Sequence, residues 1–270
     1  MPSEKPGSSQ GGRNRAEPKD GREARSSQGG RNRAEPKDGR EARSSFTSRY
    51  RFPHASKADS DGFLAAGGDM APGTLLLAYR NGIFPWTTHP ITWWSPDPRA
   101  IIPLDGVHVS RSLRRTLRRG AFRVSFDREF RAVMEGCAKP RDGREETWIS
   151  PRFITAYCRL HEVDHAHSVE VWEGDDLVGG LYGVSIGGFF AGESMFSNVS
   201  DASKVALVSM AKKLTASGFA LFDVQLMTPH LQSMGAIEVP REEYLRRLAA
   251  ATELPVDFTA ADSTGPRSRS

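Results

Sequence analysis

The chain has 270 residues, a formal net charge of +4 and a composition that is 38% hydrophobic and 26% charged. This length suits one or two domains with a hydrophobic core, and no apolar run is long enough for a secretory signal or a membrane span. The two cysteines, Cys137 and Cys158, have neither a metal-binding nor a redox spacing, so we expect reduced thiols and a cytoplasmic protein.

The N-terminal segment contains a tandem repeat. The 18 residues 8–25 recur unchanged as residues 26–43 and include no aromatic or β-branched residue. Such a segment cannot bury enough apolar surface to offset its ordering entropy, so we predict a disordered extension over residues 1–45. The extension has 11 basic and 7 acidic residues, which leaves 26 of each for residues 46–270. The remainder is therefore neutral, and the overall charge is weak support for nucleic-acid binding.

Residues 46–97 are dense in glycine, proline and aromatic residues and predict a small N-terminal lobe. One helix is predicted from Pro72 to Asn81, because proline favours the first helical position and Gly82 favours the end. Four prolines argue against further regular structure here. They are Pro85, Pro90, Pro96 and Pro98.

The segment SRSLRRTLRRG predicts a helix with five arginines on one face, because they recur at helical spacing. These arginines are Arg111, Arg114, Arg115, Arg118 and Arg119. Neighbouring like charges on a helix repel by about a few tenths of a kcal/mol per pair. Two interpretations stay open: a solvated helix face, or a face that binds a polyanion such as a nucleic-acid backbone.

Residues 98–258 predict strands and helices without strict alternation. The strand FRVSFD precedes the helices REFRAVMEGCA and PRFITAYCRLHEV, and HSVEVWE, DLVGGLYGVSI and GFFAGESMF then form an antiparallel meander. A helix capped by Ser200 or Asp201 follows. The last elements are the strand FALFDVQ, the helix TPHLQSMG, the strand AIEVP and the helix EEYLRRLAA. This order predicts an α+β fold, or α/β with a mixed sheet, and a flexible tail over residues 259–270.

Three polar residues in apolar strands predict a site. Asp223 and Gln225 lie two residues apart, which places them on one face of a regular strand, and Glu193 interrupts the apolar run FFAGESMF. Burial of such groups without partners is costly. Asp223 and Gln225 could simply mark the open end of a strand, whereas a partly buried Glu193 usually faces a cation of the protein or of a substrate.

Histidines and tryptophans give weaker signals. The HxxxHxH pattern at residues 161–167 crosses a helix end and a strand start, so its side chains need not converge and we expect no metal site. Trp93 and Trp94 would point to opposite sides of an extended segment, and an exposed tryptophan beside a basic face could stack on a nucleic-acid base. Packing in the core is the more frequent role for each.

Twelve segments closely resemble, in order from about Phe52 to Leu248, bacterial leucyl/phenylalanyl-tRNA–protein transferases. They are DGFLAAGGDMAP, LLLAYRNGIFPW, ITWWSPDPRAII, HVSRSLRR, TWIS, AYCRLHEVDHAHSVEVW, LVGGLYGVSIG, FFAGESMFS, ASKVAL, DVQ, HLQSMGA and IEVPREEYL. The resemblance implies a small N-terminal lobe and an N-acetyltransferase-like (GNAT-like) domain. It also implies transfer of Leu or Phe, and Met less well, from aminoacyl-tRNA to proteins that begin with Arg or Lys, which marks them for the N-end rule degradation pathway.

The resemblance further assigns residues. Gln225, aided by a hydrogen bond to Asp223, and Glu193 would lie at the reacting amine, with Gln225 either as a weak base or as a group that positions the amine and stabilises the oxyanion. The aminoacyl side chain and adenosine would be held by Leu181, Phe190, Met195, Trp86 and Trp148. The arginine face would follow the phosphates of the acceptor stem. Because the tRNA ester is already activated, no ATP, metal or coenzyme is needed, and we expect a monomer that does not bind membranes.

The chain departs from the family pattern in places. Asn198 stands where Arg is usual, which removes a cation, and Asp164 stands where Gly commonly ends a helix, which is unfavourable if the backbone there is left-handed. Val224 replaces a common Cys, which argues against a catalytic thiol.

Two other classes of protein are less well supported. A coenzyme-A-dependent N-acetyltransferase would need a glycine-rich pyrophosphate turn that is absent from this sequence. A simple RNA-binding module would leave Asp223, Gln225 and Glu193 unexplained.

Overall fold

The computed structural model describes residues 46–140 and 147–259. The predicted extension of residues 1–45 and nearly all of the predicted tail lie outside these ranges. A three-stranded antiparallel sheet, in the order β1-β3-β2, lies within residues 46–97. Its strands are β1 (Phe63–Ala66), β2 (Phe84–Thr88) and β3 (Ile91–Trp94).

A seven-stranded sheet forms the centre of the remaining part, in the order β10-β4-β9-β8-β7-β6-β5. Its strands are β4 (Arg99–Ile102), β5 (Arg123–Phe126), β6 (Ala166–Glu173), β7 (Asp176–Ile186), β8 (Phe189–Ser197), β9 (Leu221–Gln225) and β10 (Ile237–Val239). Neighbouring strands are antiparallel except β8 and β9, which are parallel. The predicted α+β class with a mixed sheet and the predicted meander β6-β7-β8 are confirmed.

The helices also follow the sequence prediction closely. They are α1 (Pro72–Arg80), α2 (Arg111–Arg119), α3 (Phe130–Ala138), α4 (Pro151–His161), α5 (Ala202–Ala216), α6 (Pro229–Ser233) and α7 (Arg241–Thr252). A short 3-10 helix spans Ala55–Lys57. Asp201 is the N-cap of α5 as one of the two predicted candidates, but its side chain makes no cap hydrogen bond and its φ is 68°. The predicted cap position is therefore confirmed at Asp201.

The prediction that prolines exclude regular structure from the N-terminal part is wrong. Pro85 lies within β2, which pairs with β3 at the edge of the three-stranded sheet that the described residues form. A proline is tolerated on an edge strand because its missing N–H group deprives no second neighbour of a hydrogen bond. Strand β4, which begins at Arg99 directly after Pro98, was also not predicted.

The large sheet separates two hydrophobic clusters. One cluster, which includes residues of α1, α3 and α4, also takes residues from the three-stranded sheet, and the other packs against α5. Successive side chains of a strand point to opposite faces of the sheet, so a strand can contribute residues to both clusters. Phe189, for example, belongs to the first cluster and Phe190 to the second. The first cluster contains residues of both predicted segments, 46–97 and 98–258. The division between these two segments stays a prediction.

The pairing of β8 with β9 is incomplete, and this creates the space for a site. Only the segments 189–191 and 221–223 pair, although both strands continue. Glu193 is an extra residue in the β7–β8 register, between the partners Gly192 and Ser194. A β-bulge of this kind redirects a side chain and ends regular pairing. The two strand ends diverge, and the polar residues predicted from the sequence lie there.

Close packing across this sheet gives a first prediction. A Cβ at Gly183 would lie 2.1 Å from the carbonyl oxygen of Ala191 and 2.6 Å from the Phe190 ring. We expect Gly183→Ala to lower Tm by about 5 °C or more, because the backbone must shift. Gly174→Ala is the matched control, since it meets nothing within 4 Å and carries only the strain of φ +59°. Equal Tm values for the two variants in thermal melts would contradict this packing.

Candidate active site

A cavity of about 320 Å³ opens where β8 and β9 diverge. Six residues predicted to form the site line it. They are Trp86, Trp148, Leu181, Glu193, Met195 and Gln225. Residues from β2, β7, β8 and β9 and from the segment before α4 thus meet at one place, as the sequence patterns had predicted for Glu193 and Gln225.

Two other predicted site residues do not line the cavity. Phe190 is fully buried in the second hydrophobic cluster, where its ring packs edge-on against Phe222 and parallel to Phe258. Asp223 is also fully buried, behind the cavity wall. The structure therefore gives Phe190 the contacts of a core residue and gives Asp223 no surface from which to touch a ligand.

Asp223 is paired with a cation that sequence reasoning missed. Arg99 Nε and Nη2 donate to the two carboxylate oxygens of Asp223 at 2.9 and 2.7 Å, and both side chains are essentially inaccessible. The Tyr244 hydroxyl donates to Asp223 Oδ2 at 3.0 Å, and Arg99 Nη1 donates to the carbonyl oxygen of Gly82 at 3.1 Å. The sequence feature that could have indicated this ion pair is the charged Arg99 at the start of the apolar run RAII.

Gln225 meets Asp223 through its backbone rather than its side chain. The Gln225 N–H group donates to Asp223 Oδ1 at 3.0 Å, and Gln225 has a φ of 59°. Left-handed backbone at a residue other than glycine is uncommon and is concentrated at functional sites. This conformation departs from the regular strand geometry at Gln225, so the prediction that Asp223 and Gln225 share one face of a strand stays a prediction.

The side-chain amide of Gln225 has two possible orientations. In one, Nε2 donates to Glu193 Oε1 at 3.3 Å. In the other, Nε2 donates to the carbonyl oxygens of Gly192 at 2.9 Å and Val224 at 3.1 Å. The second orientation is favoured, because it forms two shorter hydrogen bonds and removes the repulsion between the amide oxygen and the two carbonyl oxygens. It turns the amide oxygen of Gln225 toward Glu193.

Glu193 lies in a buried environment that disfavours the charged form of its carboxyl group. Burial raises its pKa to about 8, the nearby Asp223 charge acts in the same direction, and hydrogen bonds from Tyr79 and Tyr157 oppose it. The Tyr157 hydroxyl lies 3.5 Å from Glu193 Oε2 and hydrogen-bonds to the Tyr79 hydroxyl. A neutral Glu193 carboxyl donates a hydrogen bond to the amide oxygen of Gln225, so the two groups support each other's orientation.

Aromatic rings form one wall of the cavity. Trp86 packs against Trp94 with ring centroids 5.1 Å apart, and Trp148 packs edge-on against Phe153 at 5.0 Å. Trp93 is buried and donates from Nε1 to the Gly67 carbonyl oxygen, whereas Trp94 is only half-buried. The two adjacent rings thus differ in burial, and the expectation that they point in opposite directions stays a prediction, because both pack against the same hydrophobic cluster.

The arginine face lies outside this cavity. All five arginines of α2 are exposed and surround one surface depression, so their predicted common face is confirmed. Within residues 46–140 and 147–259 no carboxylate pairs with any of them. The buried Leu113 and a hydrogen bond from Thr116 to Asp201 at 3.2 Å fasten α2 to the protein.

The departures from the family pattern have structural counterparts. Asp164 has a φ of 59°, so the left-handed backbone that favours glycine is present at this position. Asn198 donates its backbone N–H to the carbonyl oxygen of Val178 at 2.7 Å. Val224 lines the cavity without any ionisable atom. Among the described residues no group of three His, Cys, Asp or Glu side chains is arranged to hold a metal ion.

Comparison with known proteins agrees with this geometry. The family described as leucyl/phenylalanyl-tRNA protein transferase matches residues 101–249, and its N-terminal domain matches residues 68–97. A leucyl/phenylalanyl-tRNA–protein transferase of Anaeromyxobacter sp. (strain K) is 53% identical over 207 residues, which is 76% of this chain and 89% of that protein. Its counterpart in Syntrophobacter fumaroxidans is 53% identical over 206 residues, with 75% and 88% coverage.

The chain belongs to the leucyl/phenylalanyl-tRNA–protein transferase family. It is therefore an aminoacyltransferase that acts with aminoacyl-tRNA and a protein acceptor. A solved structure of L-PGS from Bacillus licheniformis is similar at a TM-score of 0.37 and 13% identity, with 58% of this chain and 53% of that chain covered. That likeness is too low to support an argument. No helix in the described part of the chain is long and apolar enough to cross a membrane.

The pKa of Glu193 gives a second prediction. Its usual pKa is 4.5 and its pKa in the folded protein is about 8, so between these values the folded state binds one more proton than the unfolded state. Stability therefore falls as pH rises through this window, by on the order of a few kcal/mol. We expect Glu193→Gln to remove this dependence, so that its Tm gain over the wild type grows from pH 5 to pH 9. A Tm difference between the variant and the wild type that stays constant from pH 5 to pH 9 would contradict a buried neutral Glu193.

Proposed function

We propose that this protein transfers Leu or Phe, and Met less well, from aminoacyl-tRNA to the α-amine of proteins that begin with Arg or Lys. The product would enter the N-end rule degradation pathway, and the enzyme would act as a cytoplasmic monomer. The observation that carries this proposal is the placement of Gln225 beside Glu193 in a cavity whose walls are mainly apolar and aromatic.

The apolar end of the cavity supports selection of Leu and Phe. Leu181 and Met195 are paired neighbours on β7 and β8, and Leu231 of α6 belongs to the same lining. A hydrophobic pocket discriminates by about 1–3 kcal/mol per methylene of misfit, which allows a preference but not strict exclusion. Trp86 and Trp148 offer flat rings against which the terminal adenosine could stack.

The chemistry requires little beyond positioning. The acceptor nitrogen attacks the ester carbonyl carbon, the new C–N bond forms, and the C–O bond to the terminal ribose breaks. The amine loses one proton and the ribose hydroxyl gains one, so no proton is consumed. A protein α-amine has a pKa of about 7.7–8.0, so a useful fraction is neutral near pH 7.

Gln225 is well placed to hold the amine. With its amide nitrogen bound to the carbonyl oxygens of Gly192 and Val224, the amide oxygen faces Glu193 and has two lone pairs, so it can accept a hydrogen bond from the attacking nitrogen as well as one from Glu193. Glu193 adjoins this oxygen, and its ionised form, which a pKa of about 8 leaves as a minor population at pH 7, can accept a proton from the amine and release it to the leaving hydroxyl. We therefore assign positioning to Gln225 and proton transfer to Glu193.

The direct test uses purified protein with labelled Leu-tRNA or Phe-tRNA. We expect label on a peptide that begins with Arg and none on a matched peptide that begins with Gly. Transfer to both peptides would contradict the acceptor specificity. No transfer to either, with folded protein and intact aminoacyl-tRNA, would contradict the proposed function.

The arginine face would bind the tRNA phosphates. We expect Arg114→Gln with Arg118→Gln to weaken tRNA binding and to reduce the slope of log affinity against log salt by about 1 for each phosphate that is no longer neutralised. Turnover of an aminoacyl-adenosine substrate, which has no acceptor stem, should not change.

The control removes two exposed arginines elsewhere, with Arg80→Gln and Arg128→Gln. It changes the net charge by the same amount. Equal loss of tRNA affinity in this control and in the α2 variant would show a general charge effect and contradict a dedicated arginine face.

A further inference from the structure

The hydrogen bonds of Asp223 leave it no capacity to react. Oδ1 accepts from Arg99 Nε at 2.9 Å and from the backbone N–H of Gln225 at 3.0 Å. Oδ2 accepts from Arg99 Nη2 at 2.7 Å and from the Tyr244 hydroxyl at 3.0 Å. Four donors therefore fill the carboxylate, and the residue is fully buried and absent from the cavity lining.

Arg99 makes this arrangement possible. Its side chain is 1% exposed and its guanidinium lies over the rings of Phe84 and Tyr244, at 4.8 and 4.5 Å. An isolated buried carboxylate would be strongly unfavourable, whereas a bidentate arginine neutralises it with matched geometry. Arg99 also donates to the carbonyl oxygen of Gly82, in the turn between α1 and β2. Its side chain therefore connects this turn to Asp223 in β9.

Gln225 depends on this pair for its conformation. A left-handed backbone costs an ordinary residue about 1–2 kcal/mol. The charge-assisted hydrogen bond from its N–H group to Asp223 offsets this cost, because such bonds are stronger than neutral ones. With the backbone in this conformation, the side-chain amide of Gln225 reaches Gly192 and Glu193.

We propose that Arg99 and Asp223 form a charge-neutral clamp that holds the Gln225 backbone in its left-handed conformation and thereby sets the position of the Gln225 amide. Asp223 is then a positioning residue and not a reacting group, and Arg99 is an additional residue on which the reaction depends. The kinetic part of this inference rests on the proposed transferase function.

The test compares Arg99→Gln, Asp223→Asn and the double variant, with Leu-tRNA and the Arg peptide. Each single variant leaves one buried charge without its partner, and we expect kcat to fall by about 100-fold as the amide moves. In the double variant both charges are gone, and the amide oxygen introduced at position 223 still accepts the Gln225 N–H group. We expect this variant to regain at least about tenfold in kcat over either single variant, with the KM for Leu-tRNA near that of the wild type.

A folded double variant that is as inactive as Asp223→Asn would overturn the clamp, because the charge of Asp223 would then be needed in the reaction. Tyr244→Phe gives a second test that keeps the Arg99–Asp223 pair. A positioning role predicts a lower kcat with an unchanged pH dependence from pH 6 to 9. A displaced pH dependence would show that Asp223 takes part in proton transfer and would overturn the proposal.

Hydrogen exchange at the Gln225 backbone amide gives a readout that needs no turnover. We expect slow exchange in the wild type and in the double variant, and faster exchange in Asp223→Ala. Slow exchange in Asp223→Ala would overturn the clamp even if transfer is observed. The expected pattern of protection without any transfer by the wild type would support the clamp and contradict the proposed function.

Discussion

The early end of pairing between β8 and β9 is the constraint on which the site depends. Parallel strands that stayed paired to their ends would bring Glu193 and Gln225 into the sheet and leave no room for a substrate. Pairing instead stops at Ala191 and Asp223, and a bulge at Glu193 redirects the next side chain. The cavity is therefore a property of the backbone, and side chains from β2 and the segment before α4 complete its walls.

Three buried ionisable side chains next to this opening have different electrostatic states. Arg99 and Asp223 neutralise each other, so neither charge is available to a ligand. Within residues 46–140 and 147–259 no cation forms a salt bridge with Glu193, and burial holds it in the neutral form at pH 7 through a pKa of about 8. A carboxylate that is left without a salt bridge beside a satisfied ion pair is the group that can exchange a proton with a substrate.

The sequence predicted the helices, the meander and the meeting of Glu193 with Gln225, because hydrophobic periodicity and turn residues are local signals. It did not predict the strand Phe84–Thr88, since the exclusion of proline from sheets does not hold at an edge. The Arg99–Asp223 pair joins residues 124 positions apart and has no local signature. The φ of Gln225 was also beyond sequence reasoning, because it results from that pair and not from any preference of glutamine for left-handed backbone.

The pKa of Glu193 explains how a site that holds the acceptor amine with the Gln225 amide can promote peptide-bond formation without a strong base. In the proposed reaction the acceptor arrives largely as an ammonium ion with a pKa of about 7.7–8.0. Transfer of its proton to a carboxylate whose pKa is about 8 is nearly balanced in free energy. Each ionic form is then populated near neutral pH, and the ammonium ion stabilises the charged carboxylate that burial disfavours. The burial of Glu193 thus makes its carboxylate basic enough to take the proton of the bound ammonium ion and release the amine as the nucleophile.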